Sequence, residues 1–193
     1  MKYARILLAG LLLVTAANAQ ATKDLGQGAF ANESGAILVA VDAAMVNQAK
    51  NSPYVMFVVF LASRDVNQPI TVAAKDVVMV YKGQEYRMPS VKELRSEYQG
   101  GVRDVDFYRH LGKEGIMASW VRFYDFPEKS NFFPPQNLGA PLAADEGYML
   151  GDKGFLTPLY FKNPGFAKGD TLTIKVRDKK NAELTGECDV VLK

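Results

Sequence analysis

Residues 54–62 read YVMFVVFLA, and this stretch decides the fold. All of its side chains are largely apolar, so both alternation faces of the segment are apolar. A strand with one face in water alternates apolar and polar residues, whereas this segment must be covered on both sides. A buried helix is the competing interpretation, but the short length and the valine and phenylalanine content favour a strand. We therefore predict that it is a central strand of a sheet.

A second strand with two apolar faces is predicted over residues 116–126, which read IMASWVRFYDF. Its tryptophan, Trp120, is interpreted as a core residue rather than as an exposed platform for carbohydrate stacking. Two such strands need a cover outside a two-sheet core. The polar segment 89–113 and the proline-rich loop 127–144, whose phenylalanine pair is too apolar for a free linker, are predicted to supply that cover.

Residues 89–113 carry the pattern of two short helices. Ser90, followed three residues later by Glu93, predicts a capping box at the start of the first helix. A glycine pair at 100–101 is predicted to end it, and Asp104 is predicted to be the N-cap of a second helix. The side chains expected to face inward from the second helix are Phe107, Tyr108 and Leu111.

Short strands are predicted on both sides of this insertion. The pattern predicts a hairpin from Asp76 to Met88, closed at Lys82-Gly83-Gln84. Phe155–Lys162 is predicted to be an edge or bulged strand, because Pro158 cannot donate a backbone hydrogen bond. Two further short strands are predicted over residues 37–42 and 70–73.

The two ends of the mature chain differ in pattern. Residues 20–35 are polar and glycine-rich, and they are predicted to form a flexible arm. Residues 171–177 and 183–192 alternate strictly and predict a hairpin. This alternation places Cys188 in the core as a small apolar residue, so no disulfide partner is expected for it.

Together these patterns predict a mainly β fold: an antiparallel immunoglobulin-like β-sandwich with a two-helix insertion at about residues 90–111. Residues 36–193 are expected to form a single domain that contains the helical insertion 89–113 and the loop 127–144. The Cys–Trp–Cys signature of antibody domains is absent. A disulfide framework is excluded because the chain has one cysteine.

The first nineteen residues have the pattern of a secretory signal peptide. Lys2 and Arg5 form a positive segment, residues 6–14 are apolar, and residues 17–19 read ANA, so cleavage is expected before Gln20. A transmembrane anchor is the alternative, but the apolar run is too short to cross a hydrocarbon core of about 30 Å. The protein is therefore expected to be periplasmic or secreted from a bacterium, without a membrane span.

Charge gives no reason to expect a nucleic-acid partner. The chain has 23 lysines and arginines against 21 aspartates and glutamates. Lys2 and Arg5 leave with the signal peptide, so the mature chain carries 21 of each sign. A balanced surface offers no general attraction for nucleic acid or for an anionic membrane.

Motifs for cofactor or metal chemistry are missing from the sequence. One histidine and one cysteine cannot supply a usual zinc ligand set. Two clusters of acidic residues have ligands suitable for calcium, but neither cluster matches the spacing of an EF-hand loop. The favoured interpretation is that these are solvated carboxylates in loops. No nucleophile elbow, phosphate-binding loop or dinucleotide fingerprint is present, so no cofactor is predicted. One of the two acidic clusters consists of Asp104 and Asp106, and the other consists of Asp145, Glu146 and Asp152.

His110, the only histidine, carries the one catalytic hypothesis. A histidine beside an orienting carboxylate and a hydroxyl can act as a general acid and base, as in a small-molecule hydrolase. Asp106 lies four residues before His110, so a helix places both on one face. The favoured interpretation is an ordinary surface pair near a helix C-terminus, where the dipole stabilises a cation.

The helical insertion also carries a candidate binding surface, formed by arginine, tyrosine and histidine side chains that are common at interface centres. The alternative is that these cations pair with Glu93, Glu97, Asp104 and Asp106 on a solvated face. The first hypothesis is a non-catalytic module that binds an envelope protein or an extracellular ligand. The others are the hydrolase that uses His110 and an assembly factor that acts by strand pairing. The candidate surface consists of Arg103, Asp104, Tyr108, Arg109 and His110.

Overall fold

The structure is a computed structural model that describes residues 22–49, 51–111, 132–133, 143–151 and 153–193. The predicted signal peptide over residues 1–19 and the predicted strand over 116–126 lie outside these ranges. Of the predicted loop over 127–144, only residues 132–133 and 143–144 fall inside them.

The described residues form eleven strands and two α-helices, and short 3-10 turns lie at Val46–Ala49 and Ala74–Asp76. In chain order the elements are β1 (Lys23–Gly26), β2 (Ala29–Asn32), β3 (Ile37–Asp42), β4 (Tyr54–Ser63), β5 (Ile70–Ala73), β6 (Val77–Tyr81), β7 (Gln84–Arg87), α1 (Val91–Glu97), α2 (Gly101–His110), β8 (Glu146–Met149), β9 (Phe155–Lys162), β10 (Thr171–Arg177) and β11 (Thr185–Val191).

All strand pairs are antiparallel, and they form three sheets. The largest sheet has the order β1-β2-β3-β4-β9, the second has the order β11-β10-β6-β7, and β5 pairs with β8 alone. The prediction of a mainly β fold of antiparallel sheets with a helical insertion is confirmed.

Strand β4 is buried along its whole length, as its sequence predicts. It lies between β3 and β9 in the largest sheet. On one face Phe57 packs edge-on against Phe161 of β9, with ring centroids 6.1 Å apart. On the other face Tyr54 contacts Tyr98 at the end of α1, with centroids 6.0 Å apart. The helical insertion therefore covers part of the second face of this sheet.

The predicted aromatic cover from the proline-rich loop is also found. Phe132 and Phe133 are both buried. The backbone N–H of Phe132 donates to Oγ1 of Thr157 on β9. Its ring packs against Phe155, while the ring of Phe133 packs edge-on against Tyr160 with centroids 5.2 Å apart. This pair is thus fixed to β9 rather than exposed in a linker.

The two larger sheets approach closely where β11 crosses β3. A Cβ atom on Gly186 would lie 2.2 Å from the carbonyl oxygen of Ile37 and 2.8 Å from Cγ2 of Val39. Gly35 is equally restricted, because its Cβ would lie 2.4 Å from the carbonyl oxygen of Thr185. Two glycines therefore allow the backbones of the two sheets to touch at this corner.

Both predicted hairpins are present. In β6–β7, Lys82 and Gly83 both have positive φ angles, 50° and 78°, which is the geometry of a two-residue type I′ turn. In β10–β11, Ile174 pairs with Cys188, whose side chain is fully buried. Burial raises the pKa of the Cys188 thiol to about 12, so the thiol stays protonated at neutral pH.

Among the described strands, β9 is the last of the largest sheet, where Pro158 predicted an edge or bulged strand. This proline pairs in register with Val58 of β4. Because β9 has β4 on one side only in the described sheet, a proline within the strand leaves the remaining ladder to β4 in place.

The prediction of a flexible arm over residues 20–35 is wrong for the strands found within it. Here β1 and β2 form a hairpin, and all four residues of β2 are buried. Gly26, Gln27 and Gly28 all have positive φ angles. The glycine content therefore marks a tight turn between two strands rather than a mobile segment.

Strand β8 is absent from the sequence prediction. It pairs with β5, and the other side of β5 is fastened to the β10–β11 loop. There Oδ1 of Asp178 accepts from the backbone N–H of Thr71 at 2.7 Å, and the N–H of Lys179 donates to the Thr71 carbonyl at 2.7 Å. Oδ2 of Asp178 accepts from the N–H groups of Lys180 and Asn181. One buried carboxylate thus joins the small sheet to the C-terminal hairpin.

Candidate functional site on the helical insertion

Helix α1 begins with the predicted capping box. The backbone N–H of Glu93 donates to Oγ of Ser90 at 3.1 Å, and the N–H of Ser90 donates to Oε2 of Glu93 at 2.7 Å. Arg87 donates to both carboxylate oxygens of Glu93, at 3.0 and 2.7 Å. The hydrogen bonds from Arg87 and Ser90 lower the pKa of Glu93 to about 2. Glu93 is therefore ionised and fully engaged at the start of the helix.

Helix α2 begins at Gly101 rather than at Asp104, so the predicted N-cap is wrong. Asp104 lies in the first turn of the helix and is buried. Its Oδ2 accepts from the hydroxyl of Tyr98 at 2.7 Å. The side chain therefore bonds to the end of the preceding helix instead of to its own backbone.

A group of tyrosines fastens both helices to the outer face of the largest sheet. The hydroxyl of Tyr54 donates to Oε2 of Glu97 at 2.7 Å, and the hydroxyl of Tyr160 donates to the carbonyl of Gly101 at 3.3 Å. Tyr98 lies between these tyrosines, with ring centroids 6.0 Å from Tyr54 and 6.4 Å from Tyr160. Sequence analysis missed these contacts because Tyr54 and Tyr160 appeared only as apolar strand residues.

Tyr108 makes a second attachment further along α2. Its side chain is buried, and its hydroxyl donates to Oδ2 of Asp42 at the end of β3, at 3.3 Å. Oδ1 of the same aspartate accepts from the backbone N–H of Ala44 at 2.8 Å. Helix α2 is thus held at its start by β9 and near its end by β3.

Asp104 gives this attachment a dependence on pH. Burial raises the pKa of its carboxyl, against the hydrogen bond from Tyr98 and the charge of Arg103, which lower it. A raised pKa in the folded state contributes stability that is present below the unfolded pKa and is lost as the pH rises through the folded pKa. At neutral pH the structure therefore holds a buried carboxylate whose charged form is disfavoured.

We expect Asp104→Asn to raise the free energy of unfolding at pH 7, because the amide oxygen can still accept from Tyr98 and no charge is buried. Asp104→Ala should instead lower it by about 1–3 kcal/mol, since it leaves the Tyr98 hydroxyl without its acceptor. Urea denaturation of both variants and the wild type from pH 3 to pH 8 measures these differences. An Asn variant less stable than the wild type at pH 7 would contradict this account.

The predicted five-residue surface divides into two groups. Asp104 and Tyr108, four residues apart on one helix face, are buried against the sheet. Arg103, Arg109 and His110 are exposed. Three of the five predicted residues therefore lie on the outer side of the helix, and the other two attach the helix to the rest of the domain.

His110 does not form the predicted pair with the side chain of Asp106. Its Nδ1 lies 2.6 Å from the backbone carbonyl oxygen of Asp106, one helical turn earlier. The hydroxyl of Tyr108, the nearest one along the helix, bonds to Asp42 on the buried side. The arrangement of nucleophile, base and orienting carboxylate that the hydrolase hypothesis needs is not assembled among these residues.

Two apolar side chains of α2 face outward, against prediction. Phe107 is 43% exposed and Leu111 is 38% exposed. They are one helical turn apart, as are Arg103 and Phe107, so Arg103, Phe107 and Leu111 follow one another along one side of α2 and its C-cap. The start of the helix at Gly101, with Asp104 turned inward, sets this orientation.

Most carboxylates of the insertion already form hydrogen bonds or ion pairs with other residues of the protein. Glu93 binds Arg87, and Glu97 binds Tyr54 and also Lys162, whose Nζ lies 3.4 Å away. Asp104 is buried with Tyr98 and has Arg103 only at 4.0 Å. The exposed carboxylate left to balance the basic side chains is Asp106.

The basic side chains are engaged much less. Arg103 is 78% exposed, and its contact with Asp104 is at the limit of an ion pair. Within the described residues, Lys92, Arg95 and Arg109 form no ion pair. Of the alternative pairings of these cations with Glu93, Glu97, Asp104 and Asp106, the described residues therefore form only the contact between Arg103 and Asp104. The outer surface of the insertion carries an excess of positive charge. Three further basic and aromatic residues after this helix, Lys113, Arg122 and Tyr124, lie outside the described residues.

The described residues contain no cluster of side chains with the composition of a metal site. No three of their histidine, cysteine or carboxylate side chains are grouped as metal ligands. Glu146 pairs with Lys179 at 2.6 Å, while Asp152 lies outside the described residues. No helix among the described residues is long and apolar enough to span a bilayer. No protein-family model, curated protein or solved structure matches this chain.

Proposed function

We propose that this chain is an exported, non-catalytic binding module of the bacterial cell envelope. Its binding surface is the outer side of the helical insertion, and its partner is an envelope protein or an extracellular ligand. The surface comprises Arg103, Phe107, Arg109, His110 and Leu111. The finer assignment of the fold as an immunoglobulin-like sandwich is part of the same proposal and is supported by the two larger antiparallel sheets.

The observation that carries this proposal is the separation of charge across the insertion. Glu93 and Glu97 form surface ion pairs with Arg87 and Lys162, and Asp104 is buried against Tyr98. Arg103 and Arg109, by contrast, are exposed on the helix that also exposes Phe107. Arginine and aromatic side chains supply most of the binding energy at protein interfaces. A helical insertion on a β scaffold is also a usual position for a binding site.

We expect Arg103→Glu/Arg109→Glu to reduce the recovery of a partner at least tenfold, because reversed charge repels an acidic partner surface. The measurement is affinity capture from the cell envelope after mild crosslinking, with recovery quantified against the wild type. Raising the salt concentration should weaken capture by the wild type, since exposed charges are screened.

The matched control is Lys23→Glu/Lys168→Glu, which makes the same change of net charge at two exposed positions outside the insertion. Capture by this control should match the wild type. Equal losses in both variants, or no loss in either, would place the site elsewhere and contradict the proposed surface.

Export is a separate part of the proposal, supported by the positive segment, the short apolar run and the ANA sequence at residues 17–19. When the full chain is expressed in a bacterium, N-terminal sequencing of the accumulated product should begin at Gln20. The product should be found in the periplasmic or secreted fraction. A product that keeps Met1 and stays in the cytoplasm would refute this part.

A further inference from the structure

A cleft of about 700 Å³ lies at the start of α1, away from the exposed arginines of α2. Five separate parts of the chain form its described walls: the end of β5 with the turn after it, the segment from β7 into α1, the Phe132–Phe133 pair, residues 143–146, and Lys179. A volume of this size is typical of sites that hold a drug-sized molecule.

The walls of the cleft are mainly apolar. Met88 and the phenylalanine pair present large, mostly buried side chains, and Val91 is half-buried beside them. Alanines at 73, 74, 143 and 144 line the rest, and their small side chains leave the space open. Water held against such walls gains few hydrogen bonds, so an apolar ligand is favoured over solvent.

The charged groups that line the cleft, counted with Glu93, carry no net charge. Arg87 makes two hydrogen bonds to Glu93, and Lys179 pairs with Glu146 at 2.6 Å. The two remaining charges, Lys75 and Asp145, are of opposite sign, and neither forms an ion pair within the described residues. An ion bound against these walls would give up its hydration without gaining a net counter-charge.

We propose that this cleft binds an uncharged, largely apolar small molecule. The apolar walls supply the affinity, and the balanced charges at the cleft exclude ions. This site is independent of the outer surface of α2, and neither proposal depends on the other.

N-phenyl-1-naphthylamine, an uncharged apolar fluorophore, is a direct probe of this site. In protein labelled with 13C at the methionine methyl groups, we expect a saturable shift of the Met88 resonance on titration. Met79, which is fully buried in strand β6, should keep its position. A Met88 resonance that does not move, or equal shifts at both methionines, would overturn the proposal.

The ligand's charge is tested with the same fluorophore carrying a sulfonate, 1-anilinonaphthalene-8-sulfonate. The sulfonate should bind at least tenfold more weakly, as judged by the same Met88 resonance. Binding of the sulfonate as tightly as the uncharged probe would overturn the exclusion of anions.

A variant that fills the cleft gives a second test. Ala144→Trp should weaken binding of the uncharged probe at least tenfold, whereas Ala182→Trp, at an exposed position outside the cleft, should leave it unchanged. Circular dichroism verifies that both variants fold, and should Ala144→Trp fail to fold, the wild-type Met88 titration still decides. Unchanged binding by a folded Ala144→Trp protein would refute the site.

Discussion

Gly186→Val should lower the free energy of unfolding by about 3 kcal/mol, the upper part of the usual range for overpacking a tightly packed site. The added Cβ would lie 2.2 Å from the carbonyl oxygen of Ile37 and 2.8 Å from Cγ2 of Val39. A backbone oxygen cannot rotate away as a side chain can. Strands β3 and β11 must therefore move apart, and the core between them loses contacts over several residues.

Urea denaturation of the wild type and the variant measures this change. Glu187→Val, on the exposed face of the same strand, introduces the same side chain at a position with space. Its effect should stay within about 0.5 kcal/mol, as for ordinary surface substitutions. A loss at Gly186 no larger than the loss at Glu187 would show that the sheets tolerate separation at this corner.

Asp178→Ala should cost about 3 kcal/mol, the upper part of the range for leaving buried polar groups without partners. The carboxylate of Asp178 accepts three backbone hydrogen bonds, from Thr71, Lys180 and Asn181. Alanine removes all three acceptor contacts, and the backbone hydrogen bond from Lys179 to the Thr71 carbonyl is left to hold β5 to the C-terminal hairpin. The amide of Thr71 should then exchange with solvent much faster, which hydrogen exchange detects.

The pH dependence of Asp178 is opposite in sign to that of Asp104. Burial alone would raise the pKa of Asp178, but the N–H donors of Thr71, Asn181 and Lys180 outweigh it and hold the pKa below its ordinary value. A lowered pKa contributes stability that is present above the unfolded pKa of about 3.9 and is lost as the pH falls through the folded value.

Asp178→Asn is the matched variant for this pH dependence, because it keeps the shape and removes the charge. The difference in unfolding free energy between wild type and Asp178→Asn should shrink as the pH falls below 4. A difference that stays constant between pH 7 and pH 2 would show that ionisation of Asp178 does not contribute to stability.

The strands with a clear pattern could be predicted from the sequence. The continuous apolar run at residues 54–62 predicted a strand covered on both faces, and β4 is buried throughout. Strict alternation fixed the register of the last hairpin well enough to place Cys188 in the core. In these segments local pattern and tertiary packing favour the same structure.

The errors have a shared cause, since each concerns a segment whose role depends on distant residues. Residues 23–32 have the composition of a flexible arm, but Phe30 and its neighbours are buried in the largest sheet. Strand β8 is four residues long and gains its place from β5, more than seventy positions earlier. Composition and short-range pattern carry no information about such partners.

The structure of the helical insertion could be predicted in part. The capping box correctly placed α1, and Arg103, Arg109 and His110 are exposed as the binding hypothesis requires. The orientation of α2 could not be predicted, because Asp104 has the properties of an N-cap and instead bonds to Tyr98. A hydrogen bond between two helices outweighed the local capping preference.

The position of β4 between β3 and β9 determines when its two partner strands become available during synthesis of the chain. The β3 partner precedes β4 in the sequence, whereas the β9 partner begins only at Phe155. During synthesis from the N-terminus, the most apolar strand therefore lacks its second neighbour until most of the chain has been made. A nascent chain in this interval exposes the apolar edge of β4, and such exposed edges favour aggregation.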